Sequence, residues 1–194
     1  IQIAKLLGAA SVLATVSSPE KAAHARAAGA DAAIDRHVED VAERVRELTE
    51  GRGVDRIVEV DAAANMRHVP SLVARDGLCV VYGSGAAEVV SAFGPMIMSG
   101  VAVRWFIVYE LAPAVRQEAV AQLNGWLEDG SLRHAVARTF NLDEVAAARY
   151  DVFERRATVP NQRRAAVAAR ALLTRAGSPV PIPGPALDRR AVLA

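Results

Sequence analysis

Continuous apolar runs, bounded by turns and separated by helical patterns, constrain this chain more than any other feature. Val12–Val16, Val54–Val60, Leu78–Tyr82 and Val101–Val108 read as strands, with shorter ones at Ala32–Ile34 and Ala135–Phe140. A strand wet on one face alternates polar and apolar residues, whereas one apolar throughout is covered on both faces. Helical patterns fall between them. Pro19–Ala28 is closed by Gly29, and Val38–Thr49 sets Val38, Val41, Ala42, Val45 and Leu48 on one stripe. Met66–Val73 is predicted helical despite Pro70, Pro113–Glu128 carries Pro at its start and Gly130 beyond its end, and Leu142–Glu154 follows. The chain opens within a pattern: Ile1, Ile3, Ala4 and Leu7 keep helical spacing up to Gly8, as the last two turns of a helix would. Strands alternating with helices of this length predict an α/β fold with a doubly wound parallel sheet.

Its 194 residues, 52% of them hydrophobic, suffice for one domain with a full core, or for one domain plus a tail. The formal net charge of +1 conceals an asymmetry. From Arg155 onward there are eight arginines and one acid, Asp188, so the body is mildly acidic and the tail basic. The organisation read from this is a partial nucleotide-binding domain over residues 1–154 and a basic, Pro/Arg-rich, poorly ordered tail over 155–194. Gly177-Ser-Pro-Val-Pro-Ile-Pro-Gly-Pro is a linker by composition, and Arg163–Ala176 can form a short Ala/Arg helix. The basic tail is read as a solvated end, so neither nucleic acid nor membrane is expected as a partner. No apolar run is long enough to cross a bilayer. A single cysteine, Cys79, excludes an intrachain disulfide or a multi-cysteine zinc site and fits a cytoplasmic location.

Ligands of doubly wound sheets sit beyond the carboxyl ends of the strands. That places the candidate site at Val16–Lys21, Asp35–Arg36, Val60–Ala62 and Gly83–Gly85. The turn after the first strand reads Ser17-Ser18-Pro19-Glu20-Lys21. Ser18 suits an N-cap and Pro19 the first helical turn. Lys21 stands where a capping box would carry Glu, and a cation there opposes the helix dipole by roughly 0.3–1 kcal/mol. An anion at that spot reverses the sign, meeting free N–H groups, two hydroxyls and an ammonium. In a dinucleotide fold the group beyond this strand is the adenosine ribose. An acid there selects NAD, while hydroxyls and a cation accommodate the 2′-phosphate of NADP. The alternative is an ordinary capped helix with a solvated lysine. Arg36 can flank the adenine or add charge. Gly83-Ser84-Gly85 lacks the third glycine of a pyrophosphate turn and reads as a loop on the substrate or nicotinamide side. Cys79 is expected buried and inert, and His24, His37, His68 and His134 have no metal-ligand spacing. Tyr82 is read first as a packing residue, Asp61 as a cap or turn residue, and Trp105-Phe106 as core or dimer contact.

IQIAKLLGA, ATVSSPEKAAHARAAGAD, VRELTEGRGVDRIVEV, GLCVVYGSG and LEDGSLRHAVARTFNLDEVAAA, in this order and spacing, resemble the cofactor half of medium-chain dehydrogenases/reductases. The resemblance covers roughly 1–154 and is strongest to the zinc-independent, zeta-crystallin-like quinone oxidoreductases. It implies the Rossmann half of a two-domain enzyme that uses NADP(H) and passes hydride to a small-molecule substrate, a quinone or an activated carbonyl or alkene. It further implies that Ser17, Ser18 and Lys21 hold the 2′-phosphate, and that Arg36 stands where the family often has Tyr beside the adenine. Val60, Gly83, Ser84 and the segment Phe106–Val108 would line the nicotinamide, and the edge strand 101–108 would pair across a homodimer.

The sequence departs from that pattern at both ends. It does not contain the family's first Rossmann strand and glycine-rich turn, nor the substrate domain, and ERRATVPNQRRAAV after Glu154 does not match the final strand. The fold expected is therefore an incomplete Rossmann sheet. The missing strand belongs at its centre, between Val12–Val16 and Val54–Val60. Such a chain, taken by itself, should be poorly stable, re-pair its strands or recruit a partner segment, and should not turn over quinones. A second reading is a non-catalytic nucleotide-fold module with a basic tail.

Overall fold

A computed structural model of the chain describes residues 1–136, 139–141, 143 and 191–193. In chain order its elements are α1 (Gln2–Leu6), β1 (Ser11–Val16), α2 (Pro19–Ala27), β2 (Ala32–Asp35), α3 (Val41–Leu48), β3 (Val54–Glu59), α4 (Ala62–Asn65), α5 (Val69–Leu72), β4 (Val73–Val81), α6 (Phe93–Ser99), β5 (Ala102–Trp105), α7 (Pro113–Glu128) and β6 (Ala191–Leu193). The strands form one sheet in the order β2-β1-β6-β3-β4-β5. Every neighbouring pair is parallel. The doubly wound α/β expectation holds: successive side chains along a strand point to opposite faces, and helices cover both. On one face Leu13, Ile57, Cys79, Val81 and Leu193 pack with Val45 of α3 and with Ala62, Met66, Val69 and Leu72. On the other, Val12 and Val192 pack with Ala4 of α1, and Ala14 and Val16 with Ala25 of α2.

The centre of the sheet is held by the far end of the chain. Residues 191–193, which sequence patterning puts in the tail, form β6 between β1 and β3. Its register is Ser11↔Ala191, Val12↔Val192 and Leu13↔Leu193 on one side, and Arg56↔Val192 and Ile57↔Leu193 on the other. This is the position where the sequence analysis expects the family's first strand.

Several element boundaries differ from the sequence expectation. The helix expected from Val38 starts at Val41 because Asp40 caps it, its Oδ1 accepting from Glu43 N at 2.9 Å. Val38 consequently lies outside the apolar stripe and is 81% exposed. The helix expected over Met66–Val73 is a single 3-10 turn at Met66–His68 followed by α5, with α4 preceding it and Val73 already in β4. Pro70 falls in the first turn of α5, where its missing N–H costs nothing. β4 begins five residues before Leu78: a bulge takes the pairing from Val54↔Val73 to Arg56↔Leu78, with Asp76 in left-handed backbone at φ 58°. The strand expected over Val101–Val108 is shorter, only β5, and Val108 opens a 3-10 turn ending at Glu110. Trp105, expected in the core or at a dimer contact, is 53% exposed on this edge strand. No strand forms at residues 135, 136, 139 and 140. The expected helices at Leu142–Glu154 and Arg163–Ala176 lie outside the described residues, Asp143 apart, as does the junction at 154/155.

Polar ties fix α1 to the sheet and to the segment that follows α7. Lys5 Nζ meets Asp31 Oδ2 at 2.6 Å, and the same oxygen accepts from Val12 N at 2.6 Å. Gln2 and Arg133 exchange two hydrogen bonds, Nε2 to the carbonyl at 3.1 Å and N to Oε1 at 2.9 Å. Among the described residues no helix is long and apolar enough to cross a membrane.

The turn into β3 yields a sharp mutational contrast. Gly51 and Gly53 both have φ near 82°, but only at Gly53 would a Cβ meet backbone, at 2.8 Å from Leu72 O and Ala74 N. Gly51→Ala should cost about 1–2 kcal/mol, the left-handed penalty alone. Gly53→Ala should cost clearly more, since β3 and the start of β4 must also separate. Urea denaturation of the two variants checks the difference.

Cys79 gives a pH signature. It is fully buried, and burial first, with the Glu59 carboxylate second, pushes its thiol up to about 12. In the unfolded chain the thiol ionises near its ordinary value of 9.0. The folded state therefore keeps a proton that the unfolded state loses. This contribution to stability is complete below pH 9 and is lost as pH rises toward 12. Iodoacetamide at pH 8 should leave Cys79 unmodified in the native chain and label it on denaturation.

Candidate functional site

At the carboxyl end of β1 the backbone turns through Ser17 and Ser18 into α2. Ser18 is the N-cap, with extended backbone and Oγ accepting from Lys21 N at 3.3 Å. Its hydroxyl also bonds the Glu20 carboxylate, which holds that exposed acid below its usual range, with Glu20's own N–H adding to the effect. Both capacities of the Ser18 hydroxyl are thus engaged within the first turn. Ser17 differs: its Oγ accepts from Lys21 Nζ at 2.7 Å, and its own O–H remains a donor. Beside this turn, Arg36 N donates to Val16 O at 3.1 Å as the chain leaves β2, so Arg36 and Lys21 are two exposed cations on neighbouring strand ends.

On the other side of β6, the ends of β3 and β4 are laced together. Glu59 is the one buried charged residue among those described, at 7% exposure. Its Oε1 accepts from Asp61 N at 2.5 Å and Asn65 Nδ2 at 3.0 Å, and its carbonyl accepts from Tyr82 N at 3.0 Å. Asp61 caps α4 through Ala64 N and reaches across to Gly85 N at 2.8 Å. Ala62 N donates to Gly83 O at 3.1 Å. A Cβ at Gly83 would strike the Val60 carbonyl, so the two loops approach as closely as only glycine allows. Val60 itself is 58% exposed.

Tyr82 and Phe106 stand behind these loops, their ring centroids 6.3 Å apart and tilted by 42°. Phe106 N continues the ladder to Val81 O at 3.1 Å. Burial first, and Glu59 second, raises the Tyr82 phenol above its ordinary value. Such a phenol stays protonated throughout the neutral range. Ser84 turns onto its own loop, Oγ donating to Ala86 O at 2.7 Å. Val108 lies beyond, in the 3-10 turn.

The candidate residues therefore fall into two groups flanking the midline of the sheet. Ser17, Ser18, Lys21 and Arg36 gather at the ends of β1 and β2. Val60 and Gly83 touch at the ends of β3 and β4, with Phe106 joined through Tyr82; Ser84 and Val108 make no bond to either. The sequence reading missed Glu59, whose only signal was an acid inside the apolar run VDRIVEV. It gave Asp61 its capping role without the bond to Gly85. Among the described residues no group of three or more His, Cys, Asp or Glu is placed to hold a metal ion.

The sequence profile of the zinc-binding dehydrogenase family matches residues 1–125. A quinone oxidoreductase of Pseudomonas aeruginosa is 34% identical over 161 residues, which cover 81% of this chain and 49% of that protein. A 2-haloacrylate reductase of Burkholderia sp. is 33% identical, with 75% and 45% covered. The crystal structure of a quinone oxidoreductase from Pseudomonas syringae pv. tomato superposes with a TM-score of 0.65 at 32% identity, over 80% of this chain and 49% of that one. The chain spans about half the length of the curated relatives it matches. A parallel sheet wound on both faces, loops converging at its carboxyl edge and a family profile over most of the described body agree: this chain belongs to the zinc-binding dehydrogenase family, as a quinone oxidoreductase-like cofactor half of the medium-chain dehydrogenases/reductases.

Proposed function

We propose that the chain is the cofactor-binding portion of an oxidoreductase that uses NADP(H) and passes hydride to a quinone or an activated carbonyl or alkene. The observation that carries the cofactor choice is the Lys21 Nζ–Ser17 Oγ pair at the start of α2, 2.7 Å apart and exposed at the carboxyl end of β1. A 2′-phosphate placed there accepts from the ammonium, from the Ser17 hydroxyl and from the N–H groups of the first turn, with Ser18 keeping that turn capped. Arg36 adds a second cation at the adenine side. No acid stands directly at the end of β1 to favour a ribose 2′-OH, although Glu20 lies one residue into the helix.

The residues present fit the adenosine end of the dinucleotide and one wall of its nicotinamide end. NADP(H), when bound, supplies or takes the hydride. The chain's part is to hold and orient it. Val60, Gly83, Ser84, Phe106 and Val108 are assigned to the nicotinamide side, where the close approach of Gly83 to Val60 leaves a flat backbone wall. The relatives named a quinone oxidoreductase and a 2-haloacrylate reductase support the acceptor class, an electron-poor C=O or C=C. A cytoplasmic location goes with this reading, supported by one buried cysteine in the whole chain.

The same reading includes a homodimer through the edge strand 101–108. β5 ends the sheet, and Trp105 at its end, with Ile107 and Tyr109 just beyond, are all more than half exposed. An apolar edge of this kind pairs readily with a second copy.

Two measurements test the reading. Titration of the chain with NADPH and NADH, followed by nicotinamide fluorescence, should show Lys21→Ala weakening NADPH about 10–100-fold, the worth of one charge-assisted bond of 1.5–3 kcal/mol. NADH should change less than about twofold; equal loss of both removes Lys21 from the phosphate. Sedimentation should find a dimer for the chain and a monomer for Trp105→Glu. A chain that sediments as a monomer at all concentrations ends the edge-strand assignment.

A further inference from the structure

A carboxylate taken out of water destabilises a fold unless hydrogen bonds offset the loss of solvation. Glu59 is such a group: it ends β3, in register with Val81 of β4, and is buried. Its Oε1 accepts from Asp61 N at 2.5 Å and from Asn65 Nδ2 at 3.0 Å, which fixes both ends of the segment 61–65. Asp61 is thereby aimed at the neighbouring loop, where its Oδ1 accepts from Gly85 N at 2.8 Å. That loop needs an external hold. Residues 82–92 form no helix or strand, Gly83 and Gly85 leave its backbone free, and Ser84 bonds within the loop, to Ala86. Three hydrogen bonds cross from residues 82–85 to the end of β3: Tyr82 N to Glu59 O, Ala62 N to Gly83 O, and Gly85 N to Asp61. The third is the outermost, and it is the one that a side chain makes.

We propose that Glu59 is a positioning residue for the nicotinamide side of the site: by fixing Asp61 it sets the clasp from Asp61 to Gly85, and the clasp holds Val60 and Gly83 as one wall for the ring. The proposal rests on the cofactor reading given above. Glu59 is placed by a paired strand, so it carries the rigidity of the sheet into two loops that have none of their own. A wall formed before the ligand arrives spares the ligand the entropy of ordering it, and it holds the ring in one orientation. What Glu59 supplies is an acceptor oxygen at a fixed place. Glutamine offers the same oxygen and alanine does not, so the two substitutions should differ. The Ser17–Lys21 pair stands at the end of β1, across β6 from the clasp, and none of these bonds reaches it. The two ends of the cofactor should therefore respond separately.

Two ligands separate the ends: NADPH, and adenosine 2′,5′-bisphosphate, which has no nicotinamide. Both are titrated into the full chain, and the fluorescence anisotropy of bound NADPH reports how firmly the ring is held. Glu59→Ala should weaken NADPH by about tenfold, lower that anisotropy, and leave the bisphosphate within about twofold of the unaltered chain. Glu59→Gln should restore NADPH to within about twofold. Hydrogen exchange at the Gly85 amide should be faster in Glu59→Ala and unchanged in Glu59→Gln. The proposal is overturned if Glu59→Ala leaves NADPH binding and Gly85 exchange as they were, if it weakens both ligands equally, or if Glu59→Gln behaves as Glu59→Ala. Should Glu59→Ala not fold, Asp61→Ala decides in its place. It removes the clasp while Glu59 stays, so it should reproduce the loss confined to NADPH, and an unchanged NADPH affinity overturns the proposal. If the unaltered chain binds neither ligand, or binds NADPH no better than the bisphosphate, the cofactor reading itself falls and takes this inference with it. Binding of NADPH in preference to the bisphosphate, with no response to Glu59→Ala, overturns this inference alone.

Discussion

β1 and β3 must each have a partner along their inner edges. Both lie in the middle of a sheet covered by helices on both faces, where water does not reach their N–H and C=O groups. A buried backbone group left unpaired costs about 1–3 kcal/mol, and a row of them exceeds much of a domain's net stability of roughly 5–15 kcal/mol. β6 meets that demand with three residues. β6 also adds to both faces, Val192 to the cluster around α1 and Leu193 to the one beneath α3 and α5.

With the midline closed, the strand ends become a rigid frame for the loops above. The two sides of that frame are built differently. Between β3 and β4 the loops are tied by Gly85 N donating to the Asp61 carboxylate at 2.8 Å, while Glu59 accepts from Asp61 N at 2.5 Å within its own loop. Glu59 remains stable in the interior because it accepts from Asp61 and Asn65, and its field in turn helps keep Cys79 and Tyr82 protonated. Between β1 and β2 the loops are short and exposed, with cations at Lys21 and Arg36 and hydroxyls at Ser17 and Ser18. One side is a preformed wall; the other is an electrostatic patch.

The two serines have separate work. Ser18 spends its hydroxyl on the helix end and on Glu20, so it shapes the turn. Ser17 and Lys21 pair with each other at the surface, and that pair is what a phosphate would meet. In the proposed reading, adjacent identical residues would divide a structural and a recognition task, because only one of them occupies the N-cap.

The doubly wound class, the parallel order and the address of the candidate site were legible in the sequence, because continuous apolar runs at βα spacing leave few other ways to bury both faces. The cap at Ser18, the left-handed turn at Gly29 and the limits of α7 followed from local chemistry, which short segments carry with them. What failed were features set by distant partners. The bulge that lengthens β4 depends on its register against β3. The bond from Asp61 to Gly85 spans loops 24 residues apart, so no local pattern announces it. Ala191-Val-Leu is the clearest case. Three residues at the end of a basic, Pro-rich stretch carry too little periodicity to declare a strand. By itself the sequence determined the doubly wound class and the strand ends at which the candidate residues stand. Only the tertiary structure decided that Ala191–Leu193 lie between β1 and β3, because that pairing depends on two backbone edges and two apolar clusters that exist only after the rest of the sheet has come together.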